Sequence, residues 1–313
     1  MSGAREGGAL PAGSLIGIVA PAGPTSAERL AQVPPLFEAA GYRARLYPGC
    51  GARHGELPYL AGDDAARLAD LHAALADDEV AAILCLRGGY GCMRLVDRVD
   101  TALVRARRKL LVGYSDITAL LALWACECAP ALHAPMATSD LVLPERAADR
   151  EALFWQLRRG VRAGDVFAAE ATAVPAPLCA LTRPGVAEGR LVGGNLSLVA
   201  ALQGTPFAWP AQGTLLFLEE VSEEPYRIDR LLTQLHLAGV LGAAAGFVLG
   251  SFTHPVDPAA VLRERLGPLG KPMLAGWPSG HGTPNRPLPL GLRARLDAGA
   301  RTLTLLEGWP EPA

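Results

Sequence analysis

The sequence predicts an α/β protein, with an N-terminal parallel-sheet domain flanked by helices and a second, β-rich C-terminal α/β domain. Three observations predict it. Short apolar runs alternate with helix-like stretches through the first half of the 313 residues, the pattern of strands joined by crossover helices. Two of these runs open into glycine-bearing loops, Arg87-Gly-Gly-Tyr-Gly91 and Gly113-Tyr-Ser-Asp116, and parallel sheets gather ligands at such strand ends. Late in the chain, Leu292 to Leu296 and Thr302 to Leu306 both alternate apolar and polar residues on either side of Asp297-Ala-Gly-Ala300. That is the signature of an antiparallel hairpin.

Taken in order, Leu15 to Ala20 reads as a strand ending in the turn Pro21-Ala-Gly-Pro24. A helical pattern then runs toward Ala40, which Pro34-Pro35 must start, kink or interrupt. Arg43 to Tyr47 is a second strand. Asp63 or Asp64 caps a helix whose Leu68, Leu71, His72 and Leu75 fall at helical spacing, so His72 reads as a packed or half-exposed helix residue rather than a ligand. Val80 to Leu86 is a strand that opens into the Arg87 loop. Leu110 to Val112 leads into the Gly113 turn and the apolar helix Ile117 to Trp124. Residues 1–164 are assigned to the N-terminal domain, the weakly periodic, proline-bearing stretch 165–189 to a linker, and 190–313 to the C-terminal domain. There, Arg190-Leu-Val-Gly-Gly-Asn195 precedes a helix through Leu202, and the strand Thr214 to Leu218 ends in Glu219-Glu220. A helix at Arg227 to Leu237, a strand at Gly246 to Phe252 and a helix at Asp257 to Leu266 follow.

Composition narrows the function. Lys and Arg number 29 against 31 Asp and Glu, a net charge of −2, so no strong field attracts nucleic acid or an anionic membrane. Half the residues are apolar and 19% charged, which excludes a largely disordered chain. The 35 glycines and 26 prolines show no collagen-like period and indicate shaped loops. No apolar run approaches the ~20 residues that cross a bilayer. Met1 to Gly13 lacks the basic start and apolar segment of an export signal, so a cytoplasmic protein is expected. The six cysteines include no C-x-x-C pair, and a reducing compartment disfavours disulfides. Cys85, Cys126 and Cys128 sit in apolar stretches and read as buried small hydrophobes. Cys92 follows the first glycine loop, where an exposed thiol is open to it, a catalytic thiol being the lesser reading.

Gly113-Tyr-Ser115-Asp116 is the sharpest local signal. A serine at an abrupt strand-to-helix turn presents its hydroxyl beside free backbone N–H groups and a positive dipole end. The logic is that of a nucleophile elbow, although Ile117 stands where G-x-S-x-G has glycine. A plain N-cap serine is the alternative. A serine nucleophile needs a base, most often a histidine oriented by a carboxylate. Of the six histidines, His54 lies in a loop, His72 and His236 on helices, His133 at a strand end, and His254 after a strand before Pro255. His281 lies in Ser279-Gly-His-Gly-Thr-Pro-Asn285, a loop whose glycines free its backbone. Glu219 and Glu220 end a strand and must point to opposite faces, so at most one can face a shared cleft, unless both are simply solvated. The Arg87 loop reads either as a tight turn or as a cradle of N–H groups for an anion or oxyanion. It lacks the ending of a phosphate-binding P-loop, and no metal-ligand spacing such as H-E-x-x-H occurs. No metal and no cofactor is expected.

Ile16-Gly-Ile-Val-Ala-Pro21, Leu86-Arg-Gly-Gly-Tyr-Gly91, Val112-Gly-Tyr-Ser-Asp116, Gly193-Gly-Asn195, Leu216-Phe-Leu-Glu-Glu220 with Pro225-Tyr226, and Gly280-His-Gly282 with Asn285 stand in one consistent order. By these segments, from about residue 15 to residue 306, the chain resembles the LD-carboxypeptidases (muramoyltetrapeptide carboxypeptidases), a family of serine peptidases. The resemblance implies a triad of Ser115 as nucleophile, His281 as general base and then acid, and Glu219 as orienter of the imidazole. Glu220 stands where many relatives have Asp, which leaves the choice between the two glutamates open. The resemblance also implies an oxyanion hole of backbone N–H groups at Gly89 and Asp116, and a homodimer. Its implied substrate is the cytoplasmic murein tetrapeptide, a small peptide from which a terminal D-alanine is removed. Arg87 would then pair bidentately with the free C-terminal carboxylate, or else form a structural ion pair. Glu223, Glu224 and Tyr226 would contact the diamino acid's amine or the peptide backbone. Two alternatives stand beside this reading: a related self-immunity peptidase cleaving peptide–nucleotide antibiotics, and a non-catalytic small-molecule binding protein.

Overall fold

A strand buried at every residue needs cover on both faces, and the apolar runs of the first half meet that condition. Strand β1 (Leu15–Val19) is buried throughout. The computed structural model describes residues 6–169, 176–253 and 256–309, so His254 lies outside the described residues. After β1 come α1 (Ala27–Ala31), α2 (Val33–Ala39), β2 (Arg43–Leu46), α3 (Asp64–Ala76), β3 (Val80–Cys85), α4 (Thr101–Arg107), β4 (Leu110–Gly113), α5 (Thr118–Cys126), β5 (Ala131–His133) and α6 (Ala147–Arg159). The chain continues with β6 (Val166–Ala168), α7 (Ala176–Cys179), β7 (Val186–Asn195), α8 (Leu196–Ala201), β8 (Leu215–Val221), α9 (Pro225–Leu237), α10 (Val240–Ala243), β9 (Gly246–Thr253), α11 (Ala259–Leu266) and β10 (Met273–Ala275). It ends with β11 (Leu288–Leu290), β12 (Arg293–Asp297) and β13 (Thr302–Leu305).

Two compact units result. The first takes the chain up to Val161 together with Arg286–Pro289 and Trp309; the second takes Arg162–Asn285 and Leu290–Gly308. The first unit's sheet has the order β11-β5-β4-β3-β1-β2, and β2, β1, β3, β4 and β5 run parallel. The chain leaves β1 toward β2 and returns across it to β3, which makes the gap beyond β1 and β3 a topological switch point. Local signals explain the helices. Asp63 Oδ1 caps α3 by accepting from Ala66 N at 2.7 Å, and Asp100 Oδ1 caps α4 from Leu103 N at 3.0 Å. His72 is a half-buried helix residue whose Nε2 accepts from Asp100 N at 3.0 Å. Pro34 and Pro35 fall in the first turn of α2, where a missing N–H costs least; they split the helical stretch at Gln32. From Thr118 to Ala125, α5 is buried on every side, as a helix apolar all round must be.

The second unit is a mixed sheet of order β10-β9-β8-β7-β12-β13-β6. Strands β7 to β10 are parallel, and the expected hairpin β12–β13 adds an antiparallel flank that β6 extends. The stretch 165–189, read from sequence as a linker, is thus partly built into this sheet: β6 pairs with β13 and β7 begins at Val186. At three residues, β6 is too short to show a period in the sequence. Among the described residues, no helix is long and apolar enough to cross a membrane.

Trp124 is fully buried and donates from Nε1 to Lys109 O at 3.1 Å, locking α5 to the start of β4. Trp124→Ala should cost about 3–5 kcal/mol, read as a lower denaturant midpoint with unchanged slope.

Candidate active site

Strands β3 and β4 pair in parallel, with Leu84 opposite Val112, so the loops at their carboxyl ends stand side by side. Ser115 follows β4 with φ of +63°, a left-handed conformation that costs an L-residue roughly 1–2 kcal/mol. It lies inside a 3₁₀ turn, Ser115–Ile117, preceded by Tyr114, and the cap position of α5 belongs to Ile117. Ser115 is therefore not the helix cap. A Cβ on Gly88 would come within 2.8 Å of Ser115 Cβ and 3.0 Å of its Oγ, so this turn exists only because the neighbouring loop has no side chain there. Ile117, where the elbow pattern has glycine, packs over Gly113: a Cβ at 113 would lie 2.9 Å from it.

Two buried acids brace the turn. Asp140 accepts from Tyr114 OH at 3.0 Å, Met136 N at 3.0 Å and Ser139 Oγ at 2.7 Å. Asp116 Oδ2 accepts from Cys92 N at 2.8 Å and so ties the Ser115 turn to the far end of the Arg87 loop. Burial pushes the Asp116 carboxyl up, against the Cys92 N–H bond that lowers it. Gly89 is exposed with φ of +119°, and the Asp116 nitrogen lies 3.5 Å from where a Gly88 Cβ would project. Arg87 is half-buried and donates to Gly88 O at 3.2 Å and Pro24 O at 3.3 Å. Among the described residues it has no carboxylate partner, so it is not a structural ion pair.

The cysteines correct the sequence reading. Cys92 is fully buried, and burial raises its thiol well above the ordinary value, because its amide is turned inward to Asp116. Cys85 is buried, but Cys126 and Cys128 are exposed. They lie where α5 ends and Cys128 takes a left-handed turn, φ +55°, which carries them out of the apolar layer.

In the second unit, β8 carries both glutamates into the interior, so neither is a solvated strand end: Glu219 is 0% and Glu220 3% exposed. They diverge as strand alternation requires. Glu219 Oε2 lies 2.6 Å from His281 Nδ1 and also accepts from His281 N at 3.3 Å. The His281 loop is pinned on either side: Gly280 N donates to Asn285 Oδ1 at 3.0 Å, and Gly282 N to Ser251 Oγ at 2.8 Å. Gly280 has φ of +114°, and a Cβ there would lie 2.7 Å from Glu219 Oε2. Glu220 faces Asn195 Nδ2 at 2.8 Å, Ser197 N at 2.9 Å and Ser197 Oγ at 2.6 Å; burial raises its carboxyl while these bonds lower it. Of the two glutamates, Glu219 is the one in contact with the imidazole.

Glu223 and Tyr226 form a separate surface cluster at the start of α9. Glu223 pairs with Arg227 at 3.5 Å, the Tyr226 hydroxyl accepts from Arg227 Nε at 3.2 Å, and Arg230 lies over the Tyr226 ring at 5.6 Å. Glu224 is exposed at the cap position of α9. Sequence reasoning missed the supporting groups Asp140, Ser251 and the Asp116 carboxylate. Only Asn195 and Asn285 left a trace, as members of quoted motifs. Glu220→Gln replaces an acceptor by a donor facing Ser197 N–H and should destabilise the protein by about 2 kcal/mol in chemical denaturation.

Residues 16–134 match the profile of the LD-carboxypeptidase N-terminal domain and residues 188–296 that of the LD-carboxypeptidase C-terminal domain. The chain is 37% identical to the probable murein peptide carboxypeptidase of Bacillus subtilis, over 97% of this chain and 95% of that protein. The muramoyltetrapeptide carboxypeptidase of Oxalobacter formigenes superposes with a TM-score of 0.80 at 28% identity, covering 96% of this chain and all of the other. MccF in complex with glutamyl sulfamoyl guanosine shares the fold, with a TM-score of 0.86 at 22% identity over 96% and 98% of the two chains. The chain belongs to the LD-carboxypeptidase family and is a carboxypeptidase hydrolase of the serine-peptidase type.

Proposed function

We propose that the protein is an LD-carboxypeptidase that removes the terminal D-alanine from a murein tetrapeptide in the cytoplasm, as part of cell-wall recycling. The observation that carries this reading is the buried Glu219 carboxylate 2.6 Å from His281 Nδ1, an arrangement that fixes the imidazole and stabilises its cation. Ser115 supplies the nucleophile. Its Oγ attacks the carbonyl preceding D-alanine while His281 Nε2 takes the hydroxyl proton. The tetrahedral oxyanion is held by the backbone N–H groups of Gly89 and Asp116, each such donor being worth ~3 kcal/mol. His281 then gives its proton to the departing amine of D-alanine, and a water, deprotonated by the same imidazole, releases the shortened peptide from Ser115.

Arg87 is the group for the free C-terminal carboxylate, which its fork can accept bidentately. Half-buried Glu223 and exposed Tyr226 are the groups for the diamino acid's amine. Family resemblance supports a homodimer, which sedimentation of the full chain would measure. The B. subtilis relative's name supports a murein peptide as substrate. The fold shared with MccF supports a second reading, a self-immunity peptidase acting on peptide–nucleotide conjugates.

A tetrapeptide ending in D-alanine and a glutamyl sulfamoyl nucleoside, assayed side by side, separate the two. Ser115→Ala should abolish D-alanine release while leaving the melting temperature near that of the parent chain. Glu219→Gln should lower kcat by roughly 10²–10⁴-fold, and EDTA should leave turnover intact. Undiminished turnover by Ser115→Ala removes the mechanism.

A further inference from the structure

Helix α3 turns Leu68, Leu71, Ala74 and Leu75 inward, and Arg67 with them. Among the described residues Arg67 is the only buried arginine, 1% exposed. Taking a guanidinium out of water is expensive, and an apolar side chain of similar length would fill the same space at lower cost. Its bonds show what the charge holds. Nη1 donates to Pro21 O and Nη2 meets Asp64 Oδ1 at 2.5 Å, while Nε has no partner among the described residues. Asp64 lies one turn away on the same helix, so it orients the fork from within α3, and Pro21 is the segment the fork reaches.

The fork is also the floor of a loop. A Cβ at Gly91, where φ is +136°, would come within 2.5 Å of Arg67 Nη1 and 3.1 Å of its Cζ. Past Gly91, Cys92 N donates to Asp116 Oδ2 at 2.8 Å, and Arg94 Nε donates to the Asp64 carboxylate at 2.9 Å and 3.1 Å. Pro21 opens the turn after β1, where Gly23 N donates to Gly88 O at 3.1 Å. The segments after β1, β3 and β4 thus converge around one buried cation. Burial pushes the Asp116 carboxyl up, and Cys92 and then the Arg67 charge draw it back.

What rests on this floor is the Gly88–Gly91 stretch. Gly88 leaves room for Ser115, and the Gly89 amide holds the oxyanion in the proposed mechanism. Arg67 has no exposed side-chain surface, so it does not meet a substrate. We propose that Arg67 is a positioning residue, whose buried guanidinium fixes the Gly88–Gly91 loop and through it the Gly89 amide beside Ser115. This inference rests on the serine-peptidase mechanism and deepens it. A donor displaced by about 1 Å loses on the order of 10²-fold in rate.

The test uses the full chain with Arg67→Met, which fills the same space without charge, and Arg67→Lys, whose single ammonium keeps the charge but not the fork. In release of D-alanine from a tetrapeptide, Arg67→Met should lower kcat about 100-fold with KM within about threefold of the parent, and Arg67→Lys should fall in between. Amide hydrogen exchange of the unliganded proteins, read by mass spectrometry, should rise about tenfold or more across residues 88–95 and stay unchanged in β8 and β9. Parent-like kcat in folded Arg67→Met, a KM rise with kcat intact, or exchange that rises evenly along the chain overturns the inference. If Arg67→Met does not fold, the same two readouts on Arg67→Lys decide it. If the parent hydrolyses no peptide, exchange alone decides: a rise confined to 88–95 supports the positioning role while the proposed function fails, and its absence overturns the role.

Discussion

The Ser115 turn depends on a steric constraint between two neighbouring strands. Ser115 holds a left-handed backbone, and the space its side chain sweeps is the space a Gly88 side chain would fill. Parallel pairing of β3 with β4 fixes that meeting. The strain is affordable because the surroundings over-determine it: Tyr114 is anchored on Asp140, Asp116 on the Cys92 amide, and Ile117 over Gly113. A hydroxyl presented in this way has few conformations open to it.

Buried carboxylates are the second recurring device. Asp116, Asp140, Glu219 and Glu220 are each almost wholly removed from water, and a buried charge is tolerated only where hydrogen bonds replace its hydration. Asp116, Asp140 and Glu220 accept from backbone N–H groups, and Asp140 and Glu220 also from polar side chains, and so act as fasteners. Glu219 instead meets a titratable ring. Two adjacent residues of one strand thus serve different purposes on opposite faces, one fastening α8 to the sheet and the other holding an imidazole.

Much of this was legible in the residues. Period-two and helical patterns marked the strands and helices, and the order of short motifs pointed to the family and to the Glu219–His281 pair that the fold brings into contact. The choice of Glu219 over Glu220 was not legible, because alternation says that two neighbours diverge but not which one meets the ring. Cys92 was misjudged since a glycine loop suggests exposure, whereas an inward amide bonded to Asp116 buries it. The stretch 165–189 was misread for a related reason: β6 is three half-buried or exposed residues, held by its pairing with β13 rather than by any apolar pattern of its own.

The sheet order carries a consequence for synthesis. Strand β11 lies beside β5 but is encoded after β10. On the ribosome, the outer edge of β5 must stand unpaired until nearly all of the second sheet has been made. An open edge is an invitation to pair with the wrong chain. At three residues, β5 is short enough to offer little purchase, which is how a nascent domain completed so late can wait for its last strand.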